Sequence, residues 1–100
     1  MEIIQSKNNV FIRLTGKRWL HITEEHSELA GYYFEVLETI KTPEEIYQGL
    51  SGECIAIKEI AADKYIVVIY KETDQKDGFI ITAFLTRKRK QFERRIRLWP

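Results

Sequence analysis

Residues 10–14, VFIRL, alternate weakly between apolar and polar positions and are rich in β formers, which predicts a short first strand ending at Thr15-Gly16. From Lys17 the period changes. Trp19, Ile22 and His26 fall at i, i+3 and i+7 on one helical face, while Glu24, Glu25 and Glu28 point elsewhere. This spacing predicts a helix from about Lys17 to about His26. Ser27 reads as the cap of a second helix through about Thr39, with Leu29, Tyr33, Val36, Leu37 and Ile40 as its apolar stripe. Thr42-Pro43-Glu44-Glu45 combines a capping threonine, a proline at the first helical position and a glutamate at the third, and predicts a short third helix ending near Gly49.

After GLSG the pattern turns to β. ECIAIKEI, KYIVVIYKE and GFIITAFLT are three runs of strand length rich in Ile, Val, Tyr, Phe and Thr, separated by the turn signals AAD and TDQKD. Connections this short imply antiparallel neighbours. On the last of these strands Phe79, Ile81, Ala83 and Leu85 form a purely apolar face expected to take the helices, and Ile80, Thr82, Phe84 and Thr86 form the other. The expected fold class is therefore α+β: one domain over residues 1–100, with an N-terminal strand and two or three helices packed on one face of an antiparallel sheet. A C-terminal basic helix is expected to end it.

Composition narrows the class. Hydrophobic residues make up 44% of the chain, with five glycines and two prolines, values of a globular domain. Neither the amino terminus nor any internal run has the apolar length of a signal peptide or membrane helix, so a cytoplasmic protein without membrane contact is expected. Cys54 stands alone in an alternating apolar run and reads as a small core residue, which excludes an internal disulfide and a cysteine-based zinc site.

The net charge of +1 conceals a division of the chain. Residues 1–86 carry nine Lys and Arg against 14 Asp and Glu, whereas residues 87–100 carry seven basic residues against Glu93 alone. A cationic end on an acidic body attracts phosphates or an acidic partner in a salt-sensitive way, or serves only as a solvated helix face. If the end is helical, Phe92, Ile96 and Trp99 share the face that docks on the domain, on a partner or on a second copy in a homodimer.

Chemistry is concentrated in two places. His21 and His26 are five apart, about 140° around a helix, so they do not share a metal ion as residues four apart do. They remain an acid and base for phosphodiester cleavage, or a half-buried and an exposed helix residue with no chemical role. On the meander, Thr82 and Thr86 open on one face, where Tyr70 is expected to join them, with Lys58 or Glu59 from the neighbouring strand. No Gly-rich phosphate loop, Ser-His-Asp order or cofactor motif is present, and no cofactor or metal is expected.

RWLHITEEH, PEEIYQG, KYIVVIYKE and DGFIITAFLTRK together resemble the phage-type barnase/EndoU/colicin/RelE-like (BECR) nuclease-fold family, over a span from about Val10 to Lys88. The carboxyl-terminal part is also similar to the end of BrnT-type toxins. The resemblance implies a RelE/barnase-like domain and a metal-independent ribonuclease, often a toxin held inactive by an antitoxin. It gives His21 and His26 acid/base roles and brings in Thr82, Thr86 and Arg87 from the TAFLTRK block, with Lys58 and Tyr70 placed by strand position. Arg18, Lys88, Arg89, Lys90, Arg94, Arg95 and Arg97 are then the expected RNA contacts. The alternative is a non-catalytic module of the same fold that binds RNA or a protein.

Overall fold

Thr15 ends a strand and starts a helix: its Oγ1 accepts from the backbone N–H of Arg18 at 3.1 Å, the capping bond that opens α1, Gly16–Glu25. A computed structural model describes residues 1–100. Ahead of α1 lie β1, Glu2–Gln5, and β2, Phe11–Leu14, an antiparallel pair of which only the second is foreseen in the sequence pattern. The helix expected from Ser27 is interrupted. Ser27–Leu29 makes one 3-10 turn, and the chain passes Gly31 before α2 begins, Tyr33–Lys41. The stripe survives the break, because Leu29, Val36, Leu37 and Ile40 are all buried.

The Thr42-Pro43-Glu44-Glu45 signal does not start a helix. Thr42 closes α2 instead, its N–H bonded to the Glu38 carbonyl, and the next residues form the strand β3, Glu45–Gln48. Pairing decides this. Ile46 and Tyr47, both good strand formers, lie against Ala56 and Ile55 of β4, Cys54–Ala61, and bury on both faces of the sheet. Burial across a sheet outweighs a local capping preference worth about 1 kcal/mol.

β5, Lys64–Glu72, and β6, Asp77–Thr86, complete the expected meander with β4. The tail is not a helix. Arg89–Phe92 forms a single 3-10 turn, and Arg97–Trp99 is a strand, β7, on the outer edge of β3. The seven strands run in the order β1-β2-β6-β5-β4-β3-β7, and the sheet is mixed rather than antiparallel because β2 lies parallel to β6. The molecule is thus α+β, with two α-helices against one seven-stranded sheet.

Both faces of the sheet carry apolar side chains. The main core lies under the helices, where Ile22, Leu29, Val36 and Ile40 meet Ile12, Ala56, Ile66, Val68 and Tyr70. A smaller cluster on the opposite face joins Tyr47, Ile55, Ile57, Val67 and Phe92, with Tyr65, Ile69 and Phe84 at its margin. Phe92, Ile96 and Trp99 consequently do not share a face: Phe92 is buried in the small cluster, Trp99 packs on the main core, and Ile96 is 66% exposed. Lys7, in the turn between β1 and β2, lies 4.7 Å from the Trp99 ring centre, so the two ends of the sheet curl toward each other. Cys54 is buried as expected.

Ala83 and Leu85 take the helices as expected, but one irregularity changes the faces of β6 before them. Ile69 pairs with Thr82 but Tyr70 pairs with Ile80, which leaves Ile81 as an extra, bulged residue. Ile80 and Ala83 therefore both reach the main core, where strict alternation would separate them.

Candidate functional site

β2 runs out where β6 continues. Its last pairing is Arg13 with Phe79, so the outer edge of β6 beyond that point has no strand beside it. α1 and the following turn occupy the space. Arg18 Nη1 lies 3.5 Å from the Ile81 carbonyl, and His26, the residue that ends α1, carries its half-buried ring to 6.0 Å from the ring centre of Phe84. His26 Nδ1 is 3.8 Å from a Glu28 carboxylate oxygen, a distance for a charge pair rather than a hydrogen bond.

Glu28, Lys64, Leu85, Thr86 and Arg87 line a cavity of about 310 Å³ at the end of β6. The pairing of Tyr65 with Thr86 brings Lys64 there, and Lys64 Nζ donates to the Tyr32 hydroxyl at 3.3 Å. Thr86 Oγ1 accepts from the backbone N–H of Lys88 at 3.0 Å and from Gln91 Nε2 at 3.2 Å, so this oxygen shapes the turn into the tail. The fold therefore gathers Thr86 and Arg87 around one cavity, with His26 held beside it through Glu28 and Phe84.

His21 belongs to a different place. It lines a second cavity, about 360 Å³, with Thr15, Lys17 and Arg18, and its Nε2 is 2.8 Å from Glu25 Oε1 on the exposed side of α1. Arg18 also borders a neighbouring hollow with Arg13, whose guanidinium pairs with Asp77 at 3.0 Å. The two histidines do not converge on one reacting group, in keeping with their five-residue spacing on the helix.

Three other expected site residues are placed elsewhere. Tyr70 does not join Thr82 and Thr86; it alternates with Ile66 and Val68 on the helix side of β5, 1% exposed, beside the Cys54 thiol. Burial pushes its phenol well above the usual tyrosine range, and the neighbouring Cys54 and Glu72 push it the same way. Lys58 also stands on the helix side, where it pairs across from Ile66 and its Nζ donates to Thr42 Oγ1 at 2.7 Å. Thr82 faces away from both, opposite Ile69.

The basic tail divides into committed and free cations. Arg89 and Arg97 both meet the Glu45 carboxylate, whose side chain is only 10% exposed. Arg87, Lys88, Lys90, Arg94 and Arg95 have no carboxylate within 4 Å. Arg87 separates the β6-end cavity from a third one of about 470 Å³, formed by Asp63, Tyr65, Glu93 and residues 87–90. No three His, Cys, Asp or Glu side chains gather in a way that would hold a metal ion.

Glu28, Lys64 and Tyr65 are absent from the sequence-derived site. The local pattern carries no sign of Lys64 or Glu28, since both come to the cavity through strand register and the 3-10 turn. Tyr65 had a partial signal: alternation in KYIVVIY places it on the same face as Val67 and Ile69, away from the helices. No family model, curated protein or solved structure matches the chain.

Proposed function

We propose that this protein is a small endoribonuclease of the RelE/barnase-like type, acting in the cytoplasm without a metal ion, as its sequence resemblance implies. The observation that carries the reading is the meeting of His26 with the Arg87-bearing end of β6, where Glu28, Lys64 and Thr86 line one cavity. His26 takes the proton of an RNA 2′-hydroxyl as the oxygen attacks the adjacent phosphorus, with the Glu28 carboxylate 3.8 Å from its Nδ1. Arg87 and Lys64 meet the charge that develops on the phosphate oxygens. The P–O5′ bond breaks as the ring closes and the departing 5′-oxygen takes a proton from water, which leaves a 2′,3′-cyclic phosphate and a 5′-hydroxyl. An antitoxin-like inhibitor protein is the partner that the similarity to BrnT-type toxins adds.

The second reading is a non-catalytic RNA- or protein-binding module. Its support is Thr86, whose oxygen is already engaged by Lys88 and Gln91, together with the free cations of the tail. Incubating the purified chain with mixed RNA in EDTA separates the two. Fragments with 2′,3′-cyclic phosphate ends, reduced by about 100-fold or more in folded His26→Ala protein, are the expected result. Intact RNA from folded wild-type protein, or equal cleavage by the variant, overturns the assignment.

A further inference from the structure

We propose that the cavity on the far side of Arg87 is a nucleobase subsite, in which Tyr65 stacks a base of single-stranded RNA next to the phosphate held at Arg87. The proposal rests on the ribonuclease reading of the neighbouring cavity and extends it to how the strand is held. Arg87 borders both cavities, so a chain whose phosphate contacts it there has its next nucleotide in the larger one. That cavity, about 470 Å³, falls within the roughly 300–1,000 Å³ of small-molecule sites.

Tyr65 is its single apolar wall, and its surroundings hold the ring ready. Arg89 places its guanidinium 5.8 Å from the ring centre. The buried Glu45 carboxylate holds Arg89 in turn, and Arg97 reaches the same carboxylate. A ring and a guanidinium fixed in this way form the kind of platform on which unpaired bases stack without sequence demand. Lys88 and Lys90 flank the platform and supply charge for the backbone phosphates.

Asp63 and Glu93 border the same cavity, and neither carboxylate has an ion-pair partner within 4 Å. Asp63 is held in the left-handed region, φ 56°, while its backbone N–H donates to Glu59 Oε2 at 3.1 Å, so the residue is positioned by its turn. Free carboxylates beside a stacking ring accept from exocyclic amino groups of adenine, cytosine or guanine. The stacking ring beside these acceptors, which serves a nucleobase and not an acidic side chain, makes RNA the better occupant of this surface.

The test uses the full chain and a short 2′-O-methyl oligonucleotide, which binds but lacks the attacking hydroxyl, so binding is read independently of turnover. Tyr65→Ala is expected to weaken binding by about 10-fold, and Tyr65→Phe to retain it. An abasic residue in the oligonucleotide should cost the wild type a similar factor at one position and cost Tyr65→Ala nothing there. An abasic penalty of the same size in both proteins overturns the subsite while leaving the cleavage reading intact. Displacement of the oligonucleotide by poly-glutamate at equal charge also overturns it, in favour of an acidic protein partner. Failure of the wild type to bind overturns both readings together.

Discussion

Arg97 Nη2 lies 2.8 Å from Glu45 Oε2 at the β3–β7 edge, and Arg89 meets the same carboxylate from the preceding turn. A single buried acid therefore holds two points of the basic tail to the sheet. Glu45→Ala should cost about 1–3 kcal/mol in urea unfolding, the range for charge-assisted hydrogen bonds partly open to water. Trp99 fluorescence in the folded variant should change as β7 loosens. A variant with unchanged stability and emission would mean that the tail is held by strand pairing and Phe92 alone.

At Gly78, opposite Glu72 of β5, the sheet leaves no room for a side chain. A Cβ added there would lie 2.3 Å from the Lys71 carbonyl oxygen and 2.7 Å from Ile12 Cδ1, and backbone on one side cannot move aside without disturbing the ladder. Gly78→Ala should lose about 1–3 kcal/mol despite the better strand propensity of alanine. Thermal unfolding of the variant at or above the wild-type midpoint would refute the close approach.

Stability should fall in alkali. The folded protein keeps the Tyr70 proton above 10.0, its ordinary value, and the Cys54 thiol is likewise raised from 9.0, mainly by burial. The unfolded chain releases both protons at those ordinary values, so the stabilisation is complete below about pH 9 and is lost as pH rises through and above 10. Each fully buried group contributes a slope of about 1.4 kcal/mol per pH unit. Tyr70→Phe should remove part of that slope, and identical alkaline profiles for wild type and variant would count against a buried phenol.

Lys58 and Lys64 should behave differently in RNA cleavage. Lys64 lines the cavity with Arg87, whereas Lys58 is bonded to Thr42 on the helix side. Lys64→Ala should slow cleavage by about 100-fold and Lys58→Ala should leave it unchanged. The reverse ranking in a single-turnover assay would move the site away from the end of β6, toward Lys58 and Thr42 at the end of α2.

Much of the fold is legible in the chain because its signals are local and consistent. The Trp19–Ile22–His26 stripe and the three β-rich runs describe contacts that a short segment makes through its own periodicity. The candidate site is legible only in part. His26 and Arg87 stand out by residue type, but Glu28 and Lys64 are ordinary surface charges until strand register brings them to the same cavity.

The sequence by itself determined the α+β class, the start of α1, the meander of β4, β5 and β6 and the acidic body with a basic end. Tertiary structure alone decided that residues 45–48 pair rather than coil, because Ile46 and Tyr47 bury on two faces of a sheet built by distant residues. It turned the basic end into a turn and an edge strand, since Glu45 and the open edge of β3 capture it. It also brought Ile80 to the helix side, for a bulge at Ile81 changes which side chains of β6 face the helices, and an alternating pattern read within one strand carries no record of the extra residue.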